Sequence, residues 1–239
     1  MTRAAEKLKK RFFSGVPHPY QVFDEAVRRR LPQNGVLLDA GCGRCAPVLA
    51  EYKGSCRRLI GVDLVEFAGN PDASLELIPG DLKAIPLESS SVDLIMARSV
   101  MEHVTEPTEV YREMYRLLRA GGWFVFLTAN LGDYAAILAK IIPNRLHPWI
   151  VARTEGRAVH DVFPTAYRTN TRSSIARLAA ASGFEISEFR YLGQYPDYFM
   201  FNAGLFLLAT GYEKLVTRFD ALAPLRGWIL AVLRKPPAS

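Results

Sequence analysis

Two glycines and two acids at a characteristic spacing point to a site for a nucleoside-containing ligand. Asp39 comes near the end of a short apolar run, and Gly41 and Gly43 follow it one residue apart. Glycine reaches positive φ and has no Cβ, so the backbone at these positions can approach a ligand closely. Twenty residues after Gly43, a second apolar run ends at Asp63, where a carboxylate can accept hydrogen bonds from ribose hydroxyls. The loop and the second acid therefore predict the nucleotide-binding edge of a parallel α/β sheet.

Four further motifs along the chain indicate which family of α/β proteins the sequence resembles. They are residues 80–82 (Gly-Asp-Leu), 91–99 (an apolar run ending in Arg-Ser), 101–104 (Met-Glu-His-Val) and 118–123 (a segment with paired glycines). With the loop, they resemble the class I S-adenosylmethionine-dependent methyltransferases, in particular their small-molecule branch. The resemblance covers about residues 35–130, and Cys45 stands where the family usually has a third glycine. A nicotinamide-dependent enzyme and an inert α/β domain are the alternatives. A dehydrogenase, however, needs that glycine beside a pyrophosphate, which S-adenosyl-L-methionine lacks.

The resemblance implies how S-adenosyl-L-methionine would be bound as the cofactor. Asp39 and the loop backbone would hold its amino group, and Asp63 its ribose. Leu64 and Leu82 would flank the adenine, with Asp81 accepting from the exocyclic amine. The backbone after the fourth strand would face the methionine portion. The full implied set is Asp39, Ala40, Gly41, Cys42, Gly43, Asp63, Leu64, Gly80, Asp81, Leu82, Arg98, Ser99 and His103.

Composition narrows the class of protein. The chain has 239 residues, is 49% hydrophobic and carries a net charge of +6, from 30 basic and 24 acidic residues. Its three cysteines are too few for a disulfide framework, and we interpret the Cys42/Cys45 pair as loop packing rather than a metal site. The charged start has no signal-peptide core, and no stretch reaches the roughly 18 apolar residues of a membrane span. We therefore expect a cytoplasmic protein without a bound metal.

The alternation of apolar runs and helical patterns predicts a single α/β domain over residues 1–239. We expect a Rossmann-like seven-stranded sheet, mostly parallel with one antiparallel strand, in the order 3-2-1-4-5-7-6, with helices on both faces. Predicted strands cover residues 36–40, 58–63, 74–78, 92–98, 122–128, 184–191 and 227–236, and predicted helices cover 46–53, 107–118 and 171–182. Gly121 and Gly122 stand where a glycine is expected to end the second of these helices. The predicted subdivisions are a helical cover (1–31), a cofactor-binding half (32–130), a lid (131–170) and an apolar insertion (192–226).

Residues 198–212 contain no charge and are rich in Phe and Leu. This stretch is too short to cross a membrane and too apolar to lie exposed in water. Core packing, a homodimer or partner contact, and attachment to the inner face of a membrane are all open for it.

Few residues are candidates for catalysis, because methyl transfer is an in-line displacement in which the leaving thioether needs no acid. Positioning alone can contribute on the order of 7–11 kcal/mol. A general base is needed only for a hydroxyl or protonated amine acceptor. His160, beside Asp161, and His103 are the candidate bases. Candidate substrate contacts are Tyr167, Arg168, Tyr195 and Tyr198.

The resemblance therefore implies an enzyme that methylates a small, partly apolar acceptor: a lipid, isoprenoid, lipid-linked sugar or secondary metabolite. Methylation of oxygen is favoured. Residues 97–100 (Ala-Arg-Ser-Val) lack the proline-aromatic run of nucleic-acid amine methyltransferases, so no nucleic-acid partner is expected. The alternative function is a non-catalytic partner subunit or membrane-surface module of the same fold.

Overall fold

The computed structural model describes residues 2–67, 72–134 and 164–238. Its contacts divide the chain into two compact units. The sheet unit comprises residues 23–128, 166–190 and 230–239, and the helical unit comprises residues 1–22, 129–165 and 191–229. The single domain expected over 1–239 stays a prediction.

Seven strands form one mixed sheet in the order β3-β2-β1-β4-β5-β7-β6, which confirms the predicted fold class and strand order. The strands are β1 Val36–Ala40, β2 Arg58–Asp63, β3 Leu75–Pro79, β4 Val92–Arg98, β5 Leu118–Ala129, β6 Glu185–Leu192 and β7 Trp228–Arg234. β1 pairs in parallel with both β2 and β4. All five residues of β1 are buried, as expected for a central parallel strand covered on both faces. The carboxyl ends of β1, β2 and β4 therefore meet at one edge, where the predicted acids lie.

Six α-helices occur in the described residues: α1 Arg3–Phe13, α2 Pro19–Arg28, α3 Pro47–Ala50, α4 Pro107–Leu117, α5 Arg172–Ser182 and α6 Ala203–Arg218. α3 is much shorter than the predicted helix over 46–53. Ala46 lies in the left-handed region at φ 43°, outside the helix, and the chain breaks into turns after Ala50. No described helix has both the length and the apolar character needed to cross a bilayer.

The paired glycines after α4 do not cap that helix, contrary to the sequence interpretation. α4 ends at Leu117 because Leu118 is already extended (φ −70°, ψ 139°) and begins β5. Gly121, at φ +80°, lies where the register of β5 against β4 shifts between Val92 and Leu94. The glycines thus provide a β-bulge, which needs the same positive φ as a helix cap.

Between β6 and β7 the chain forms short 3-10 helices at Asp197–Phe199 and Asp220–Leu225, with α6 between them. α6 packs on α1 within the helical unit, and their common core contains Ala5, Phe13, Met200 and Phe206. The insertion is therefore partly core, but only on one side of α6.

A buried pair of acids lies in the helical unit. Gln194 donates from Nε2 to Asp133 Oδ2 (2.8 Å) and from its backbone N–H to Glu213 Oε2 (3.2 Å). Glu213 is 2% exposed, and its Oε1 has no hydrogen-bond partner among the described residues. Burial raises the pKa of Glu213 from 4.5 to about 7, and the nearby charge of Asp133 acts in the same direction.

This arrangement predicts a pH-dependent stability. The folded state holds the Glu213 proton more tightly than the unfolded state, so the free energy of unfolding falls as pH rises from 4.5 to about 7. Glu213→Gln should remove that part of the fall, on the order of 3 kcal/mol, as measured by chemical denaturation across this pH range. Glu76→Gln, at an exposed carboxylate, should retain the fall that the burial of Glu213 causes. Equal profiles for the parent and Glu213→Gln would contradict the assignment.

Candidate active site

The loop after β1 bends back onto the end of β2. The backbone N–H groups of Gly41 and Cys42 both donate to Val62 O, at 2.8 and 3.2 Å. Gly41 and Gly43 have φ values of +84° and +74°, a conformation that favours glycine. The predicted glycine loop is thus a tight turn at the sheet edge.

The two glycines are required for different reasons. A Cβ on Gly41 would lie 2.3 Å from Val100 Cγ2. A side chain at this position is therefore excluded both by the clash with Val100 and by the positive φ. A Cβ on Gly43 would meet nothing within 4 Å, so only its φ calls for glycine. Open space therefore lies beside Gly43.

Among the described residues, no group of three or more His, Cys, Asp or Glu side chains is placed so that it could hold a metal ion. Cys42 is buried and Cys45 is exposed. A Cβ on Gly61 of β2 would approach Cys42 Sγ to 2.7 Å, so the thiol occupies the space that this glycine leaves. Cys42 is a packing residue, and burial raises its pKa.

Asp63 links the end of β2 to this loop. Its Oδ2 accepts from the N–H of Gly43 at 2.7 Å, and its Oδ1 accepts from the N–H of Val65 at 3.1 Å. Each carboxylate oxygen has a second lone pair, so the side chain can still accept hydrogen bonds from a ligand. The acid predicted to bind ribose is therefore held in place by two backbone donors.

Asp39 is the most unusual group of the site. It is 3% exposed, and its Oδ2 has no hydrogen-bond partner in the described part of the chain. Burial raises the pKa of Asp39 to about 7; the charge of Arg98 opposes this shift and that of Asp63 adds to it. A buried acceptor without a donor is costly unless a ligand completes it.

The residues predicted to surround adenine lie at the ends of β2 and β3. Leu64 is 70% exposed, whereas Leu82 is buried at 9% exposure. The N–H of Gly80 donates to Asp63 O at 2.9 Å, which ties the two strand ends together. Asp81 accepts from the N–H of Lys83 at 3.0 Å and pairs with the Lys83 ammonium at 3.4 Å.

The end of β4 closes the site on its other side. Ser99 has φ +58°, its N–H donates to Leu127 O at 2.9 Å, and its buried Oγ has no partner among the described residues. The N–H of His103 donates to Val100 O at 2.9 Å within the turn that follows. Arg98 acts on Asp39 through its charge.

A buried polar network that the sequence does not predict starts at Glu102. Glu102 is 6% exposed and accepts from Thr128 Oγ1 at 2.8 Å, and Asn170 Nδ2 donates to the same hydroxyl at 2.8 Å. The Glu102 carbonyl accepts from the N–H of Ala166 (2.8 Å) and of Tyr167 (3.0 Å). The network ties the segment before α5 to the ends of β4 and β5. Its only sequence signal is the position of Glu102 beside His103.

The candidate substrate residues divide between the two units. Tyr167 and Arg168 belong to the sheet unit, where Arg168 Nη1 donates to Thr105 O at 2.6 Å. Tyr195 and Tyr198 belong to the helical unit, where Tyr195 packs against Phe13 with ring centroids 5.0 Å apart. His160 and most of the predicted lid lie outside the described residues.

The glycine positions predict a graded loss of stability. Gly41→Ala combines positive φ with the clash on Val100 and should cost about 2–4 kcal/mol of unfolding free energy. Gly43→Ala has the same φ problem without the clash and should cost about 1–2 kcal/mol. Chemical denaturation measures both, and Gly41→Ala/Val100→Ala should recover the steric part. Equal costs at the two glycines would contradict this account.

Comparisons with known proteins agree with the geometry. Residues 38–126 match the family model described as a methyltransferase domain. A probable S-adenosylmethionine-dependent methyltransferase of Mycolicibacterium smegmatis is 33% identical over 39% of this chain and 38% of its own length. A ubiquinone biosynthesis O-methyltransferase of Paracidovorax citrulli is 31% identical over 44% of this chain and 48% of its own. The chain thus spans less than half the length of these curated relatives.

Solved structures share the fold over most of the chain. An S-adenosylmethionine-dependent methyltransferase from Mesorhizobium loti superposes with a TM-score of 0.58 at 19% identity, covering 88% of this chain and 96% of its own. The geranyl diphosphate C-methyltransferase of Streptomyces coelicolor A3(2) gives a TM-score of 0.55 at 17% identity, covering 90% and 79%. Residues 38–126 thus carry a methyltransferase domain, and the strand order is the one that the resemblance to class I S-adenosylmethionine-dependent methyltransferases predicts.

Proposed function

We propose that the chain transfers a methyl group from S-adenosyl-L-methionine to a small acceptor with a substantial apolar part. The observation that carries this proposal is the buried Asp39 carboxylate, whose Oδ2 has no donor among the described residues, next to a loop with open space at Gly43. The cofactor would supply an electrophilic methyl group on a sulfonium and leave as a neutral thioether. An inert relative of the same fold would bear the cost of burying Asp39 with nothing to offset it.

The described residues fit the cofactor piece by piece. Asp39 would accept from its ammonium group, which supplies both the missing donor and a compensating charge. Asp63, already fixed by Gly43 and Val65, would accept from the ribose hydroxyls. Leu64 has the exposure of a side chain that an adenine ring would cover, and Asp81, which follows β3, would accept from the adenine amine.

The chain's remaining task is to position the acceptor and, for a hydroxyl, to remove a proton. We propose methylation at oxygen with His160 as the base and His103 as the alternative base. Tyr167, Arg168, Tyr195 and Tyr198 are the proposed substrate residues. Support for an apolar acceptor comes from relatives named for ubiquinone biosynthesis and for 24-methylenesterol methylation. The second of these is named as a C-methyltransferase, so analysis of the methylated product decides between oxygen and carbon. We place the reaction in the cytoplasm.

Calorimetric titration with S-adenosylhomocysteine tests the cofactor assignment. The parent should bind, and Asp63→Ala should bind at least about tenfold more weakly, because hydrogen bonds to a charged group contribute about 1.5–3 kcal/mol. Glu76→Ala removes an exposed carboxylate on the neighbouring strand and should bind like the parent. Failure of the parent to bind would favour the non-catalytic alternative, and unchanged binding by Asp63→Ala would remove the ribose assignment.

The raised pKa of Asp39 predicts how cofactor affinity depends on pH. Only the carboxylate form can pair with an ammonium group, so affinity should fall as pH decreases through about 7. Asp39→Asn should bind more weakly and lose this pH dependence, as read from dissociation constants on either side of that pH. A parent affinity that is independent of pH would show that Asp39 does not hold the amino group.

A further inference from the structure

Exposed large apolar side chains concentrate in one stretch of the helical unit. Of the eleven in the described residues, eight lie within residues 198–225. Leu208 is the most exposed of them at 74%, and more than half of Phe201, Leu215 and Phe219 is also accessible. Single exposed apolar residues are ordinary, but a concentration of this size marks a contact surface.

α6 presents this surface as the outer side of an ordered helix. Phe206, Thr210, Glu213 and Val216 recur at helical spacing and are buried. Leu208 and Leu215 fall on the opposite side of the same helix, seven residues apart, and both are exposed. The side chain of Asn202 caps the helix by accepting from the N–H groups of Gly204 and Leu205. We call the exposed apolar residues of 198–225 the apolar face.

A cavity of about 240 Å³ adjoins this face within the helical unit. Its lining consists of Tyr134, Phe199, Leu205, Leu208, Ala209 and Tyr212. Tyr134 contacts Phe199 and Tyr212 with ring centroids 6.1 and 5.0 Å apart, and Tyr212 donates its hydroxyl to Leu225 O at 2.9 Å. The apolar face therefore includes a recess shaped by rigid aromatic rings, in addition to projecting leucines.

Cationic side chains lie on the same helix pair as the apolar face, and the Arg218 guanidinium lies over the ring of Phe219, with its Cζ 6.0 Å from the ring centroid. α1 packs on α6 through the Phe13 and Phe206 rings (centroids 6.3 Å apart), and Lys214 Nζ donates to Phe12 O at 2.7 Å. The exposed residues of α1 include Arg3, Lys7, Lys10 and Arg11, with Glu6 as the one acid of that helix. Arg218 lies in the last turn of α6. One helix pair thus combines an uncharged apolar surface with a surplus of positive charge.

We infer that the apolar face docks on an anionic phospholipid bilayer, with its leucines and phenylalanines in the interface and the α1 cations over the headgroups. Apolar area and attraction to anionic lipid are the two contributions that hold an amphipathic helix on a membrane. With 16 residues, α6 is shorter than the roughly 20 that a membrane-spanning helix needs, so the proposed contact lies on the membrane surface. The inference rests on the proposed function in one respect: a bilayer is where an acceptor with a large apolar part resides.

Flotation of the full chain with vesicles tests the inference. The parent should float with vesicles of phosphatidylcholine and phosphatidylglycerol, and much less with phosphatidylcholine alone or at high salt. Leu207→Asp/Leu208→Asp changes two exposed positions and should lower partitioning by about tenfold or more. Phe206 is unsuitable for this test because it is fully buried, and a charge there would unfold the helix pair. Lys7→Glu/Lys10→Glu should weaken binding to the anionic vesicles only.

Ile186→Asp is the matched control, since it places the same charge on an exposed apolar residue of β6. It should float like the parent, and circular dichroism should show every variant folded. A parent that stays unbound, or a double leucine variant that floats like the parent, would overturn the inference. So would a parent dimer that the leucine substitutions convert to a monomer while neither form floats, which would make the face a homodimer contact. S-adenosylhomocysteine titration without vesicles reports the proposed function separately.

Discussion

The hydrogen bond from the N–H of Gly43 to Asp63 Oδ2, at 2.7 Å, is the link on which the arrangement of the site depends. It joins the loop after β1 to the end of β2, and it works only because parallel pairing brings Ala40 and Val62 to the same level. The Val62 carbonyl then accepts from two loop N–H groups, which turns the loop into its positive-φ conformation. The register of β1 and β2, the shape of the loop after β1 and the orientation of the Asp63 carboxylate therefore depend on one another. Together they form the proposed cofactor site.

The same arrangement makes the burial of the Asp39 carboxylate energetically costly. As the fourth residue of a fully buried central strand, Asp39 is only 3% exposed, and its neighbour in β2 is Gly61, which offers no side-chain donor. The burial of Val36, Leu37 and Leu38 in the same strand contributes packing free energy that offsets the cost of burying this acid. Burial therefore raises the pKa of Asp39 to about 7, because binding a proton removes a negative charge that the charge of Arg98 only partly compensates. Local instability of this kind is expected where a ligand completes the structure.

Much of the sheet could be predicted because buried strands bounded by turn residues are local signals: β1, β2 and β4 have the bounds that the sequence predicts. The same holds for the placement of Asp39, Gly41, Gly43 and Asp63 at one sheet edge. Gly121 could not be assigned correctly, because a helix cap and a β-bulge ask for the same positive φ. The Glu102 network was beyond sequence reasoning, since it joins three segments separated by many residues and none has a distinctive local pattern.

The proposed methyl transfer requires different properties of the two units. The implied cofactor-binding residues all lie in the sheet unit, where strand pairing fixes them, whereas the apolar face lies wholly in the helical unit. An in-line displacement needs its partners held in line more than it needs an acid or base. In the proposed reaction the sheet unit, which carries the implied cofactor residues, must therefore keep a rigid geometry. The helical unit can differ in the surface that it presents without altering that geometry. Exposed leucines on α6 are costly in water, so a contact that covers them is favourable, and in our proposal the cations of the same helix pair favour an anionic membrane as that contact.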